Sequence, residues 1–428
     1  MIGIVLFTLL AMFAVGLPIC YAIALSTIVY VLLNPNALSG LALVQRTLVG
    51  ADSFIFLAVP CFMLAGDLMN EGGVTKRLIA FAKSLIGSIR GGLAYVVVIV
   101  NMIMAGVSGS SMADAAAVGT IMIPAMIEQG YSKRFACAVN AVAGTIGPII
   151  PPSIGFVIYA GITGVSVGNL FIAGAIPGII MGLLLMVVCY IAAIKKDLPK
   201  SEKSNIKELY YHFKESFFAL LMPVIILGGI LFGIVTPTEA AVVAVLYGFF
   251  IGKFIYKELD FKKLIRLLAS SAKQSARLVL IVCFANAFGW ILTFEGVPEM
   301  LVNFFSIVAD KPWIFLLLIN IALLILGCFM EVTSILIIVT PLIMPLLKKF
   351  GIDLVYFGVV MQLNLMIGQM TPPVGMLLFT ICNIGNISMQ ELSSASIPFL
   401  IALLVALVLI TIVPDISLFL PSIIMKRV

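Results

Sequence analysis

The sequence predicts an all-α polytopic membrane protein built as an inverted-topology repeat, with two re-entrant hairpins and two discontinuous helices. Composition, a repeat of helix breakers and the sign of the charge between apolar segments predict it. The chain has 428 residues, 63% hydrophobic and 10% charged, with a mean hydropathy of +1.25. Soluble domains are about half apolar and a quarter charged, so the excess must face lipid or pack between spanning helices. The net charge of +6 would suit nucleic acid, but Lys and Arg lie between hydrophobic runs and form no basic face. They read as topology signals, with the lipid bilayer as the partner and no nucleic acid.

Apolar segments run over 4–33, 54–70, 91–107, 113–127, 135–147, 153–163 and 169–194. After a polar stretch at 195–215 they resume over 217–235, 238–256, 276–294, 313–330, 333–347, 354–369, 372–384 and 395–413. The first reads as a retained helix broken at Gly16–Pro18, since a signal peptide needs a basic start and a shorter core. Several others fall short of the roughly 20 residues that span a bilayer. Short segments in adjacent pairs imply re-entrant hairpins and broken helices, buried in protein or lining a cavity.

A shift of 221 residues superposes the breakers. Gly106 falls on Gly327, Pro124 on Pro345, Gly130 on Gly351, Gly147 on Gly368, Pro151–Pro152 on Pro372–Pro373, Gly164 on Gly385 and Pro177 on Pro398. Composition alone predicts about one such coincidence over this length. Breakers repeat because backbone geometry repeats.

Charge orients the halves. Residues 72–90 carry Lys76, Arg77, Lys83 and Arg90 without an acid, six lysines lie in 195–215, and 253–277 holds seven basic residues. All three belong inside. The counterpart of 72–90 is 295–311, with Glu295, Glu299 and Asp310 against Lys311, and it belongs outside. Lys348 and Lys349 fall outside too and oppose the scheme mildly. Segments 74–90 and 257–273 show amphipathic periodicity suited to helices in the interface plane.

The chemistry concentrates at four places. Each half has a small or polar tip, Gly106–Met112 and Gly327–Ser334, and a Gly/Pro break, Gly144–Ser153 and Gly368–Gly375. Proline frees carbonyls one turn back, and glycine lets the chain unwind. Carbonyls and hydroxyls then form an oxygen cage suited to Na⁺. Glu331 stands at the second tip, where an acid at membrane depth is a functional candidate. Asp114 and Asn140 are weaker candidates, and Asp114 could instead simply cap the helix beginning at Ala113. The seven cysteines form no CxxC and read as free thiols, while His212 is the single histidine and lies in a charged loop. Ser108–Ser111 lack a histidine or lysine base, which argues against an enzyme. No P-loop sequence occurs.

The stretches FIFLAVPCFMLAGDLM (54–69), AGVSGSSMADAAAVGTIMIPAM (105–126) and GTIGPIIPPSIGFVIYAG (144–161) resemble the large membrane subunit of tripartite ATP-independent periplasmic (TRAP) transporters. The resemblance covers essentially the whole chain. It implies an elevator-type transport domain driven by Na⁺ through at least two sites. It implies a first site at Ser108, Ser110, Gly144, Gly147, Ile149 and Pro151. The repeat maps a second onto Gly327, Cys328, Thr333, Gly368 and Thr371. Substrate would lie near Ser108, Ser111, Ser153 and Glu331. Implied partners are a four-helix small membrane subunit on a separate chain and a periplasmic substrate-binding protein, at a bacterial inner membrane. The expected cargo is a small organic anion, a sugar acid such as sialic acid, with a C4-dicarboxylate or a passive anion channel as alternatives. The corresponding division is scaffold and first arm helix at 1–90, first transport repeat at 91–168, scaffold, loop and second arm at 169–311, second repeat at 312–388 and a C-terminal scaffold helix at 389–428.

Overall fold

The computed structural model describes residues 2–34, 40–52, 54–195, 197–200, 205–308 and 311–424, apart from the side chains at 2, 14 and 306. Among the described residues there are helices and turns and no strand. Nine of these helices are long and apolar enough to cross a membrane.

The 221-residue shift survives as geometry. A first helical pair, Gly92–Ser108 and Ser111–Glu128, is matched by Pro312–Phe329 and Val332–Lys349. Moving 111–128 by 221 gives 332–349, the observed bounds. The first broken helix, Lys133–Gly144 and Ile154–Thr163, is matched by Leu354–Gly368 and Met376–Gly385. The breaks have local causes. Pro148, Pro151 and Pro152 offer no N–H, and Ser153 Oγ restarts the helix by accepting from Phe156 N–H at 3.2 Å. In the second half Pro372–Pro373 break it, and Gly375, at φ +57°, precedes the restart.

Packing groups the helices into two bodies. Val167–Lys195 and Met389–Ile412 pack on each other and on the broken helices, and Val167–Lys195 also packs on Gly92–Ser108. Ala58–Glu71, Ile206–Leu231, Pro237–Phe250 and Phe261–Phe294 pack among themselves. Lipid supplies no hydrophobic drive between helices, so close approach of small residues does this work. A Cβ on Gly174 would stand 2.4 Å from the Ile149 carbonyl oxygen. The bodies touch where Gly66 meets Ser108 and where Gly106 meets Pro223.

Of four expectations, two change. The first apolar stretch is two helices, Ile2–Ala14 and Ile19–Leu33, separated at the foreseen Gly16–Pro18 break. The polar stretch 195–215 is helical from Ile206, because Asn205 and Glu208 form a capping box. Segment 257–273 is no separate interfacial helix. Asp260 accepts from Lys263 N–H at 2.6 Å, and one 34-residue helix then runs from Phe261 to Phe294, unbroken because its first glycine is Gly289. Val74–Ile86 does form, with Val74, Leu78, Ile79 and Ala82 buried against protein and Leu85 exposed. Its Arg77 pairs with Glu258 at 2.7 Å and lies over the Tyr256 ring at 3.8 Å. Lys196, Lys203 and Asp310, which entered the charge argument, lie outside the described residues.

Candidate functional site

The first tip and the first break meet around Asp114. Ser110 caps the helix Ser111–Glu128, its hydroxyl accepting from Ala113 N–H. Asp114 is therefore free of the capping role the sequence suggested. It is fully buried, and its Oδ1 accepts from Ser108 Oγ at 2.5 Å. Its other oxygen, Oδ2, has no hydrogen-bond partner. That oxygen faces the break, since a Cβ on Gly147 would lie 2.7 Å from it and 3.3 Å from the Gly144 carbonyl oxygen. Ser110 backbone bounds the same space, 3.4 Å from that Cβ position. Ser108, Ser110, Gly144 and Gly147, four of the six residues expected at a first cation site, are thus gathered about one carboxylate.

The other two point elsewhere. The Ile149 carbonyl faces Gly174, and the Pro151 carbonyl lies beside Gly106. Ser153 is buried, donates to the Pro148 carbonyl at 2.5 Å and caps its helix, so local backbone occupies its hydroxyl. Ser111 Oγ donates to Gln369 Oε1 at 2.9 Å, tying the first tip to the second break.

The second assembly is closed by backbone. A Cβ on Gly368 would lie 2.6 Å from Gly327 Cα, so the two glycines touch face to face. The Cys328 carbonyl accepts from Gly375 N–H at 3.2 Å, and Thr371 Oγ donates to the Ile367 carbonyl at 2.9 Å. Glu331 sits at the N-cap of Val332–Lys349 without capping it. Its carboxylate is half-buried.

A buried carboxylate oxygen with no donor calls for a proton or a cation. The Gly144 carbonyl beside it is a hard oxygen ligand, and Ser108 Oγ is held on the same carboxylate, so the residues present fit Na⁺. The sequence reading left Asp114 a weaker candidate and did not name Gln369. An acid four residues into an apolar helix, just after a serine-rich tip, was the available signal for the former. Nothing local marks the latter.

A family profile described as "Tripartite ATP-independent periplasmic transporter, DctM component" matches residues 6–416. The chain belongs to this family. As a TRAP permease it is 39% identical to the sialic acid TRAP transporter large permease protein SiaM of Vibrio cholerae, over 97% of both chains. It is 41% identical to the C4-dicarboxylate TRAP transporter large permease protein DctM of Pseudomonas aeruginosa, over 91% of both. The sialic acid permease SiaT of Haemophilus influenzae is 39% identical over 95% of this chain and 66% of its own. These relatives are transporter permeases, not enzymes. Among solved structures, the Alcanivorax borkumensis YdaH transporter shares the TRAP permease fold at a TM-score of 0.63 and 13% identity, covering 86% of each chain.

Proposed function

We propose that this TRAP permease imports a small organic anion by Na⁺-coupled secondary transport across a bacterial inner membrane. The observation that carries the reading is the orphaned Asp114 Oδ2 aimed at the Gly144–Gly147 break. Ser108, Ser110, Asp114 and Gly144 would hold the first ion. Gly327, Gly368 and Thr371 would offer neutral backbone and hydroxyl oxygens to a second. The two helical pairs act as re-entrant hairpins and, with the two broken helices, form a mobile elevator body. Packing supports drawing that body wider than the repeats, with Val167–Lys195 and Met389–Ile412 included.

The favoured cargo is a sugar acid such as sialic acid. Glu331 at the tip can accept hydrogen bonds from hydroxyl groups but repels a second carboxylate. The 41% identity to a C4-dicarboxylate permease supports a dicarboxylate as the second reading. The partners are a small membrane subunit and a periplasmic binding protein, as the tripartite family description suggests. The extra third of SiaT's length would accommodate a fused small subunit. Proteoliposomes holding the permease with both partners test this. Labelled sialic acid should accumulate under an inward Na⁺ gradient and stop when K⁺ replaces Na⁺. Uptake that follows a pH gradient and ignores Na⁺ would sink the reading.

A further inference from the structure

A cavity of about 300 Å³ lies between the two bodies, away from the ion-binding breaks. Its scaffold wall is one face of Phe261–Phe294: Val282, Ala285, Asn286, Gly289, Trp290 and Thr293. Gly161 and Ile162 from the first broken helix, and Ile337 and Pro341 from the second pair, form the opposite wall. Those two transport helices pack side by side. They begin just after Ser153 and Glu331, and by helical rise the cavity lies about 9–15 Å further along both. It therefore sits on a line leading from the substrate tips toward the end of Phe261–Phe294 that the charge pattern puts outside.

The lining combines chemistries. Trp290 presents an aromatic surface, Asn286 is exposed, and Thr293 donates to Gly289 while keeping acceptor capacity. Arg46, the one basic residue before Lys76, holds its guanidinium 5.2 Å from the Trp290 ring centroid. An aromatic platform with an amide, a hydroxyl and a nearby cation suits a hydroxylated acid. An acyl chain would leave the polar groups unsatisfied. The volume is that of a small-molecule site.

We infer that this cavity is a relay subsite for a polyhydroxylated organic acid, occupied on the outer side before the anion reaches the tips. Trp290 stacks on the ring, Asn286 and Thr293 bind hydroxyls, and Arg46 attracts the carboxylate and steadies Trp290. The inference rests on the reading of the chain as an organic-anion importer, and its test separates the two.

The chain has two tryptophans, Trp290 and Trp313, so Trp313→Phe leaves Trp290 as sole reporter. In the full-length permease purified with its partner subunit, sialic acid should quench Trp290 saturably with K⁺ in place of Na⁺. Asn286→Ala and Arg46→Gln should each raise the half-saturating concentration about 10-fold. In proteoliposomes Trp290→Ala should raise KM by a similar factor while maximal rate and melting temperature hold. No quenching overturns the inference. So does quenching that needs Na⁺ and vanishes in Asp114→Asn, which would report the central site. Quenching by brominated lipid and not by sialic acid assigns the cavity to an acyl chain and overturns it too. An unchanged KM in Trp290→Ala defeats the relay alone. Failure of the unmodified protein to take up any anion defeats the import reading instead.

Discussion

The two halves of the molecule share a backbone plan and differ in the chemistry placed on it. In the first half a buried carboxylate, Asp114, faces the space above Gly147. Shifted by 221 residues, Asp114 becomes Ile335 and Gly147 becomes Gly368, whose Cα instead meets the Gly327 backbone. The second half places its acid at the tip, where Glu331 replaces Ser110. One assembly is therefore charged and deep, the other neutral at depth and charged at its rim. Glycine and proline repeat because the breaks require them. Side chains are free to diverge once the break exists. A charged cage should hold an ion more tightly than a neutral one, so the two proposed ion sites should fill in order, the Asp114 site first.

The most severe way to break this comparison is Asp114→Asn. Removing one partner of a buried charged pair costs about 3–5 kcal/mol, so Na⁺-driven uptake should fall at least about 100-fold while the protein stays folded. Wild-type Na⁺ dependence in that variant, measured by uptake and Na⁺ titration, would show that the halves do not differ as described.

Next come the paired glycines. Gly147→Ala places a methyl 2.7 Å from Asp114 Oδ2 and should weaken Na⁺ binding more than it lowers the melting temperature. Gly368→Ala drives a methyl into backbone, 2.6 Å from Gly327 Cα, and should chiefly destabilise, by roughly 1–3 kcal/mol. Thermal melts beside Na⁺ titrations distinguish the two patterns. Identical behaviour of both variants would mean that the two breaks play the same part.

The smallest effect sharpens the comparison. Glu331→Gln keeps shape and removes charge at the rim. It should raise KM for a sugar acid about 10-fold, the worth of a hydrogen bond to a charged group, and leave the Na⁺ half-saturation unchanged. A stable variant with unaltered affinity and rate would make Glu331 structural.

Much of the architecture was legible because its causes are local. Excess apolar residues require a membrane or buried setting. Pro148, Pro151 and Pro152 interrupt a helix wherever it docks, and the 221-residue repeat of such breakers fixed the placement of both pairs and both broken helices. Ser108, Ser110, Gly144 and Gly147 were nameable because they stand within or beside those breaks. Other features depend on distant segments. Asp114 could be read as a cap or a ligand until helix Ser111–Glu128 docked with that carboxylate toward Gly147, 33 residues on. Ser111 met Gln369 across 258 residues, a pairing no local pattern encodes. Periodicity at 257–273 had the same form for an interfacial helix and for the extension of a spanning one. The cavity beside Trp290 exists only because Phe56, the first broken helix, the second pair and Phe261–Phe294 wall it together. Sequence determines where a helix must break, since glycine and proline act through their own dihedrals and missing donors. The rotational phase at which each helix packs is set by all its neighbours together, and that phase decided which buried oxygens are left without a donor and which face only backbone.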